Sequence, residues 1–526
     1  MLFFPVLAWL AITTPSLSIP TGRMPVLAIA ATCGVQEEEA DSQQEIAEQV
    51  QLLVKGDPEQ RANAVETIAA IGGPESVTLV LQTLHDPDPY VADAAQLVLP
   101  DLESPDLIDR LLGSDGLKSR DPLVRERVAE AIGRLDRPVD AQALLRFVKV
   151  RDVQLSRTLL WSLERLAEHG QLSGKPQRTI KSVRLLTGRG DNDHVRAAAM
   201  QVLSQLDPYD GSIALDNLQA TSGFETACCL MDIFQRLMPT GYIGAIIRGM
   251  QHPNPGVRMR AVDVLMRSGV TRATLGEIIE RLGVEPRAGV RRRLVAALRY
   301  FTGEALGDEV GPWKELLSGL DPSWTTAEVQ TSIRESPRVS GDISVLRNFA
   351  PASDRVAILL DVSASFWSPL ESGSSRADRV LPEVSALLRR LNQKGEFLLL
   401  PFGDVPVPWS REPVRATPEQ TVAAARYVTE ELARQTSKNQ GSNIHAAISK
   451  ALEFEELDRL VIITGASTYV GAHGDSSLMI RLFEEKSRFR PAIFDFVLLG
   501  EVGSNASRWT QLAASRGGRI YRVNPR

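Results

Sequence analysis

Apolar residues recur at helical spacing from residue 44 to about 320, and the same polar signature opens each recurrence. Asp57-Pro58-Glu59-Gln60-Arg61-Ala62 leads into Ala64, Val65, Ile68, Ala69 and Ile71. Asp86-Pro87-Asp88-Pro89-Tyr90-Val91 leads into Ala94, Ala95, Leu97 and Leu99. Asp121-Pro122-Leu123-Val124-Arg125 leads into Val128, Ala129, Ala131, Ile132 and Leu135. Asp193-His194-Val195-Arg196 and Pro253-Asn254-Pro255-Gly256-Val257-Arg258 open further copies, and weaker ones begin near Asp152, Phe224 and Arg287. Asp or Asn caps a helix N-terminus, and proline is tolerated in the first turn. The small alanines let neighbouring helices approach closely. A single helix pair cannot bury its own apolar face, so units of this kind must stack.

The period is about thirty to forty residues. On these positions the segment resembles HEAT repeats, in about eight copies over roughly half of the chain. The resemblance implies an all-α solenoid, which binds partners along a concave face. Trp313-Lys314-Glu315-Leu316-Leu317 then reads as a helix closing the apolar end of the stack. Residues 321–341 read as linker, with Pro322, Pro337 and Gly341.

From residue 342 the pattern changes to short apolar runs alternating with amphipathic stretches. Strands are expected at Val356–Leu360, Phe397–Phe402, Leu460–Ile463, Ile493–Leu499 and Ile520–Val523. Helices are expected at Arg379–Leu391, Pro418–Thr436, Ile444–Phe454, Leu478–Lys486 and Trp509–Ala514. Ile343–Leu346 is expected as an edge strand and Val405–Trp409 as an antiparallel partner of the second main strand. Such alternation predicts a doubly wound, Rossmann-like α/β domain over 342–526, with a mostly parallel sheet between two helical layers. The chain is thus expected to be multidomain.

Composition adds limits. A length of 526 residues accommodates two or three domains, and 43% hydrophobic with 24% charged residues is ordinary for a globular protein. A formal net charge of −6 gives no general attraction to nucleic acid or anionic membranes. Three cysteines, Cys33, Cys228 and Cys229, support neither a disulfide framework nor a zinc site. Residues 1–36 carry two apolar runs, Leu2–Ile12 and Pro25–Ala31, the second after Arg23-Met24 and ahead of Ala-Ala-Thr-Cys-Gly. A cleaved export signal is the expectation, with a simple N-terminal anchor as the other reading, and Met24 is a second candidate start. The expected location is periplasmic, cell-envelope or secreted, with no transmembrane span in the mature chain. Cys33 raises lipidation, which Thr32 before it fits poorly.

The candidate chemistry sits at the end of the first predicted main strand, where open α/β sheets bind ligands. Asp361-Val362-Ser363-Ala364-Ser365 places a carboxylate and two hydroxyls in one tight loop, a hard-oxygen set suited to Mg²⁺ or Mn²⁺. This Asp-x-Ser-x-Ser loop resembles the metal-ion-dependent adhesion site of von Willebrand factor type A domains. The resemblance implies direct ligation by Ser363 and Ser365, with Asp361 holding the metal partly through water. Gly441-Ser442-Asn443-Ile444 matches the family's Gly-Thr-Asn loop, with Ser442 keeping the hydroxyl. Leu460–Thr468 matches the strand that normally ends Thr-Asp-Gly, but the aspartate is missing: Gly465 or Thr464 stands in its place, depending on alignment. Phe366 and Trp367 also follow the loop where a smaller residue is usual. The expected site is therefore Asp361, Ser363, Ser365, Ser442 and Thr464 around a weakly held cation. Asp404, Asp475 or a partner's carboxylate are candidates to supply the missing charge. His445 and His473 read as solvated positions nearby. The cluster Arg258, Arg260, Arg287, Arg291, Arg292 and Arg293 reads as solvated faces and turn-structuring arginines in preference to a patch for an acidic partner.

No nucleophile elbow, phosphate loop or His-Glu-x-x-His helix occurs, and no histidine is placed by sequence as base to Ser363 or Ser365. The expectation is a non-enzymatic scaffold that binds a protein partner through the type A face. The partner's Asp or Glu would complete the metal shell. The alternative is an accessory subunit of an enzyme or maturation complex.

Overall fold

The computed structural model describes residues 43–523 apart from 150, 189–191, 208–222, 238–241, 327–337, 342–345, 347–352, 371–372, 436–439, 466–467, 501–502 and 504. The leader with Cys33 and Met24 lies outside the described residues, as does most of the expected strand at Ile343–Leu346.

Helix pairs succeed one another from Pro58–Ile71 with Gly73–Thr83 to Ala288–Thr302 with Val310–Gly319. The polar signatures are helix caps. Asp57 closes a capping box with Gln60, and Asp88, Asp121, Asp152 and Asn254 each accept a first-turn backbone N–H. In the Asp193 copy the cap is Asn192, which frees the Asp193 carboxylate to accept from the Glu225 and Thr226 amides of the next repeat. The last long helix stops at Gly303, whose φ of 77° is the left-handed conformation glycine adopts without strain.

The first helices of the pairs stack in series: Pro58–Ile71, Pro89–Val98, Pro122–Ile132, Val153–Glu168, Asp193–Leu206, Phe224–Leu237, Pro255–Leu265 and Ala288–Thr302. Two apolar clusters run beneath them and share helix Asp193–Leu206, which gives Val195 and Val202 to one and Ala197 and Met200 to the other. Leu159, Leu160 and Leu163 are fully buried, each a contribution of about 2 kcal/mol. Cys228 and Cys229 are buried packing residues, and burial pushes both thiols well above their ordinary pKa.

The second domain holds one sheet of seven strands among the described residues: β1 (Arg338–Gly341), β2 (Arg355–Asp361), β3 (Glu396–Phe402), β4 (Val414–Arg415), β5 (Arg459–Thr464), β6 (Ile493–Leu499) and β7 (Ile520–Val523). The spatial order is β1-β7-β6-β5-β2-β3-β4, parallel except for β4. The edge strand β1 lies inside the stretch expected as linker. The antiparallel edge is also divided: Val407 and Trp409 amides reach the Pro401 and Leu399 carbonyls, and Val414 and Arg415 then pair with Phe397 and Glu396. Alternate strand residues feed separate cores. Ile358, Leu360, Val461 and Ile463 pack with helix Arg376–Leu388. Leu359, Leu400, Ile462 and Phe496 pack with helices Ile444–Ala451, Ser476–Lys486 and Asn505–Ser515. Both faces are covered, which is why the strands read as continuous apolar runs.

The α/β domain sits against the stacked first helices of the solenoid. Phe489, in the loop after helix Ser476–Lys486, is buried within the solenoid's own apolar cluster. No described helix is long and apolar enough to cross a membrane.

Candidate functional site

Asp361 ends the central strand β2, paired with Phe402 of β3. The loops after β2, β3 and β5 therefore converge. Ala364 N donates to Gln440 O at 2.8 Å, and Asn443 N donates to Gly403 O at 2.8 Å. These backbone links fix the loops after β2 and β3 to the 440–443 loop ahead of helix Ile444–Ala451, and Val470 N, donating to Ser442 O at 3.0 Å, ties in the loop after β5.

The Asp361 carboxylate is 2% exposed. One oxygen accepts from Ser363 N at 3.0 Å. The other accepts from Ser442 Oγ at 2.8 Å and Thr464 Oγ1 at 2.6 Å. Ser363 Oγ and Ser365 Oγ lie 3.4 Å apart. Burial raises the Asp361 carboxyl above its ordinary pKa, against hydrogen bonds from Thr464, Ser363 and Ser442 that favour the ionised form. The five residues singled out in the sequence thus gather at one point, and Asp361 is the hub.

The positions expected to supply a second carboxylate have other work. Asp404 Oδ1 accepts from Gly441 N at 2.7 Å and holds the Ser442 loop. Asp475 caps helix Ser476–Lys486 through Leu478 N and meets Arg508 Nη1 at 3.1 Å. Gly465, just beyond β5, is backed by Leu499. A Cβ there would stand 3.1 Å from Leu499 O and 3.6 Å from Arg376 Nη1. The same guanidinium donates to Ser365 O at 3.0 Å. A cationic side chain thus lies beside the missing aspartate's position. Phe366 is buried core and Trp367 donates to Val362 O at 2.8 Å, so both brace the loop from behind.

The donor set fits a hard cation, since the carboxylate and hydroxyls gathered there offer only oxygen, with the Arg376 guanidinium to one side. The charge is low, because the one carboxylate is shared by two hydroxyl donors. Asp361, Ser363, Ser365 and Ser442 would hold Mg²⁺ or Mn²⁺, with Thr464 supporting Asp361. The cation would supply an electrophilic centre for a carboxylate from outside.

A second constellation, at the junction of the two domains, was not legible as a site. His473 is 5% exposed, not solvated, because it faces the solenoid. Its Nδ1 lies 2.9 Å from Asp93 Oδ1, and Asp93 Oδ2 accepts from Gly474 N at 2.7 Å and Asp475 N at 2.8 Å. Arg127 pairs with the same carboxylate and donates to Ala472 O at 2.6 Å. Burial alone would raise the Asp93 carboxyl, yet His473 and Arg127 hold it below its ordinary range. His445 stacks edge-on to His473 with centroids 4.7 Å apart, and burial lowers its pKa well below the ordinary value. Further along, Arg488 grips Glu164 through two bonds of 2.5 and 2.9 Å. Arg490 reaches Glu225 at 2.8 Å, Arg293 donates to Pro491 O, and Gly289 N donates to Asp354 at 2.7 Å. Against the pull of burial, Arg157, His194 and Arg490 bring the Glu225 carboxyl down to about 2.

The available signal was polar residues set inside apolar helical runs: Asp93 between Ala92 and Ala94, and Glu225 beside Phe224. The arginine cluster of the last repeats is largely structural. Arg258 pairs with Glu285, Arg260 with Asp232, Arg291 with Asp308 and Arg293 with Asp263.

The family model for HEAT repeats matches residues 46–114 and 79–164. No curated protein is similar in sequence at a significant level. Among solved structures, the SpRpn10 VWA domain is 17% identical, covering 33% of this chain and 89% of that one, with a TM-score of 0.26. Human deoxyhypusine hydroxylase in complex with glycerol is 19% identical over 51% of this chain and 99% of that one, at a TM-score of 0.22. The Ro (RSR) protein of Deinococcus radiodurans is 17% identical over 88% of this chain and 93% of that one, also at 0.22.

Proposed function

We propose that this chain is a non-enzymatic, exported scaffold that binds a protein partner through the loops at the carboxyl ends of β2, β3 and β5. The supporting observation is that the second domain occupies the face built by the solenoid's stacked first helices. Solenoids bind partners along extended helical faces, and here Asp93, Glu164 and Glu225 on the first helices are spent on the chain's own second domain. The carboxyl-end loops remain the place where polar chemistry converges. A partner's Asp or Glu, with a weakly bound Mg²⁺ or Mn²⁺, completes the charge that Gly465 leaves missing.

Calorimetric titration of the full chain with Mn²⁺ tests this. Expected affinity is weak, with Kd on the order of 10⁻⁴–10⁻³ M, the weak end of the range over which ligand charge tunes oxygen-ligated Ca²⁺ sites. Asp361→Ala should abolish it. Gly465→Asp should tighten it once Arg376→Ala removes the competing guanidinium. Equal affinity in wild type and Asp361→Ala would sink the metal part of the reading. The partner part fails if Asp361→Ala and Ser365→Ala leave binding of an isolated partner unchanged.

A further inference from the structure

Charged groups at the domain junction are matched almost one to one, with one exception. Arg488 and Arg490 each meet a solenoid carboxylate across the junction, and Arg127 meets Asp93 on the solenoid side of it. Between helices Val153–Glu168, Phe224–Leu237 and Pro255–Leu265 on one side and Ser476–Lys486 and Asn505–Ser515 on the other lies a cavity of about 540 Å³. Seven arginines line it against four carboxylates. Asp232 covers Arg260, and Glu164 covers Arg488. Arg481 has no hydrogen-bonded or ionic partner among the described residues, although its Nη1 is buried. Among the described residues the Arg165 guanidinium has no hydrogen-bonded or ion-pair partner and lies over the face of Trp161, 4.7 Å from the ring centroid. The Nε atoms of Arg260 and Arg516 are also buried without partners.

Like charges gathered in a partly enclosed space repel more strongly than on an open surface, because little water screens them. The side chains register the repulsion. Burial, reinforced by Arg260 and Arg267, lowers Arg516 to about 10, and burial together with Arg481 lowers Arg165. Burial also pushes Glu485, on the same wall, up to about 7, which weakens it as a counter-charge at neutral pH.

We propose that this interdomain cavity binds a small, highly charged phosphate compound, a di- or triphosphate group held between Arg481 and Arg165 and bridging the two domains. The volume falls within the usual range for small-ligand sites, and the walls come from both domains, a common setting for such sites. Guanidinium groups match phosphate in geometry and present paired N–H donors to it. Trp161 also lines the cavity, and when Arg165 turns from its ring to phosphate, the base of a nucleotide can stack there. A ligand spanning both walls binds only the docked arrangement and therefore stabilises it by mass action.

The test uses the full chain in the presence of EDTA, which takes the Asp361 site out of the experiment. Tripolyphosphate and adenosine triphosphate are titrated by calorimetry, and the melting temperature is followed in parallel. Both probes should bind and raise the Tm. Arg481→Gln should weaken binding by about tenfold or more, the loss of one charge-assisted pair. It should leave the unliganded protein at least as stable as wild type, because an unpaired charge has been removed. Arg165→Gln provides an independent second variant. Arg426→Gln, an exposed arginine paired with Glu430 far from the cavity, serves as the control for general charge. Tighter binding of adenosine triphosphate that Trp161→Ala erases identifies a nucleotide, whereas equal binding of the two probes identifies inorganic polyphosphate. The proposal is overturned if neither probe binds at about 1 mM. It is also overturned if Arg426→Gln weakens binding as much as Arg481→Gln, or if a hexaglutamate peptide binds more tightly than either phosphate compound.

Discussion

Asp93→Asn changes one atom in a side chain that four donors from two domains address: Arg127, His473 Nδ1, Gly474 N and Asp475 N. Asp93 is fully buried and Arg127 is 1% exposed. Asparagine preserves the shape and keeps one acceptor. Its amide group turns N–H towards two of the four donors and leaves the Arg127 charge without its counter-ion. Gln96 Oε1, 3.0 Å from Arg127 Nη1, offsets only part of that loss. Breaking one partner of a buried ion pair costs about 3–5 kcal/mol, and Asp93→Asn should fall in that range. Urea denaturation of the full chain measures it. Hydrogen exchange should show the Gly474 and Asp475 amides losing protection before the strands do. Arg127→Met removes the orphaned charge, so the double variant should recover much of the loss, with a coupling energy of about 3 kcal/mol. Additivity within about 0.5 kcal/mol would refute the reasoning, because it would mean that the two side chains do not depend on each other.

Three further outcomes are expected. Burial raises Asp458 from 3.8 to about 6, so the folded state holds this proton more tightly than the unfolded chain. The resulting stability is complete below about pH 4 and lost as pH rises through about 6. Asp458→Asn should flatten that slope and stabilise the protein above pH 7 by up to about 3 kcal/mol, at about 1.4 kcal/mol per pH unit; an unchanged slope in urea melts across this range would be inconsistent with it. Gly303→Ala forces a side chain into a φ of 77° and should cost about 1 kcal/mol; an unaltered Tm would show that the helix end relaxes freely. Cys228 and Cys229, both fully buried, should resist a thiol reagent in the native protein and react on unfolding; rapid native labelling would show that the Phe224–Leu237 helix opens.

The local rules by themselves determined the solenoid and the sheet. Proline after a capping Asp or Asn starts the helices at Pro58, Pro89, Pro122 and Pro255, and apolar residues at helical spacing must find a neighbour. Continuous runs such as Val356–Leu360 are tolerated only between two helical layers. Asp361, Ser363, Ser365, Ser442 and Thr464 were readable because each lies at a strand or helix end, where sequence order fixes position. Element ends were less legible. Helix Pro418–Arg426 passes into a π-turn at Tyr427–Glu431, and β1 forms where Pro and Gly suggested a linker. Only the tertiary structure decided the meaning of His473, Asp93, Glu164 and Glu225. Their partners lie hundreds of residues away, as with Asp93 and His473, 380 positions apart, and no periodicity encodes a contact between two separately folding layers. The same holds for Asp404 and Asp475, both available carboxylates in the sequence, which the folded chain commits to a loop and a helix cap. A buried charge is placed by what faces it, and that is settled when the second domain docks.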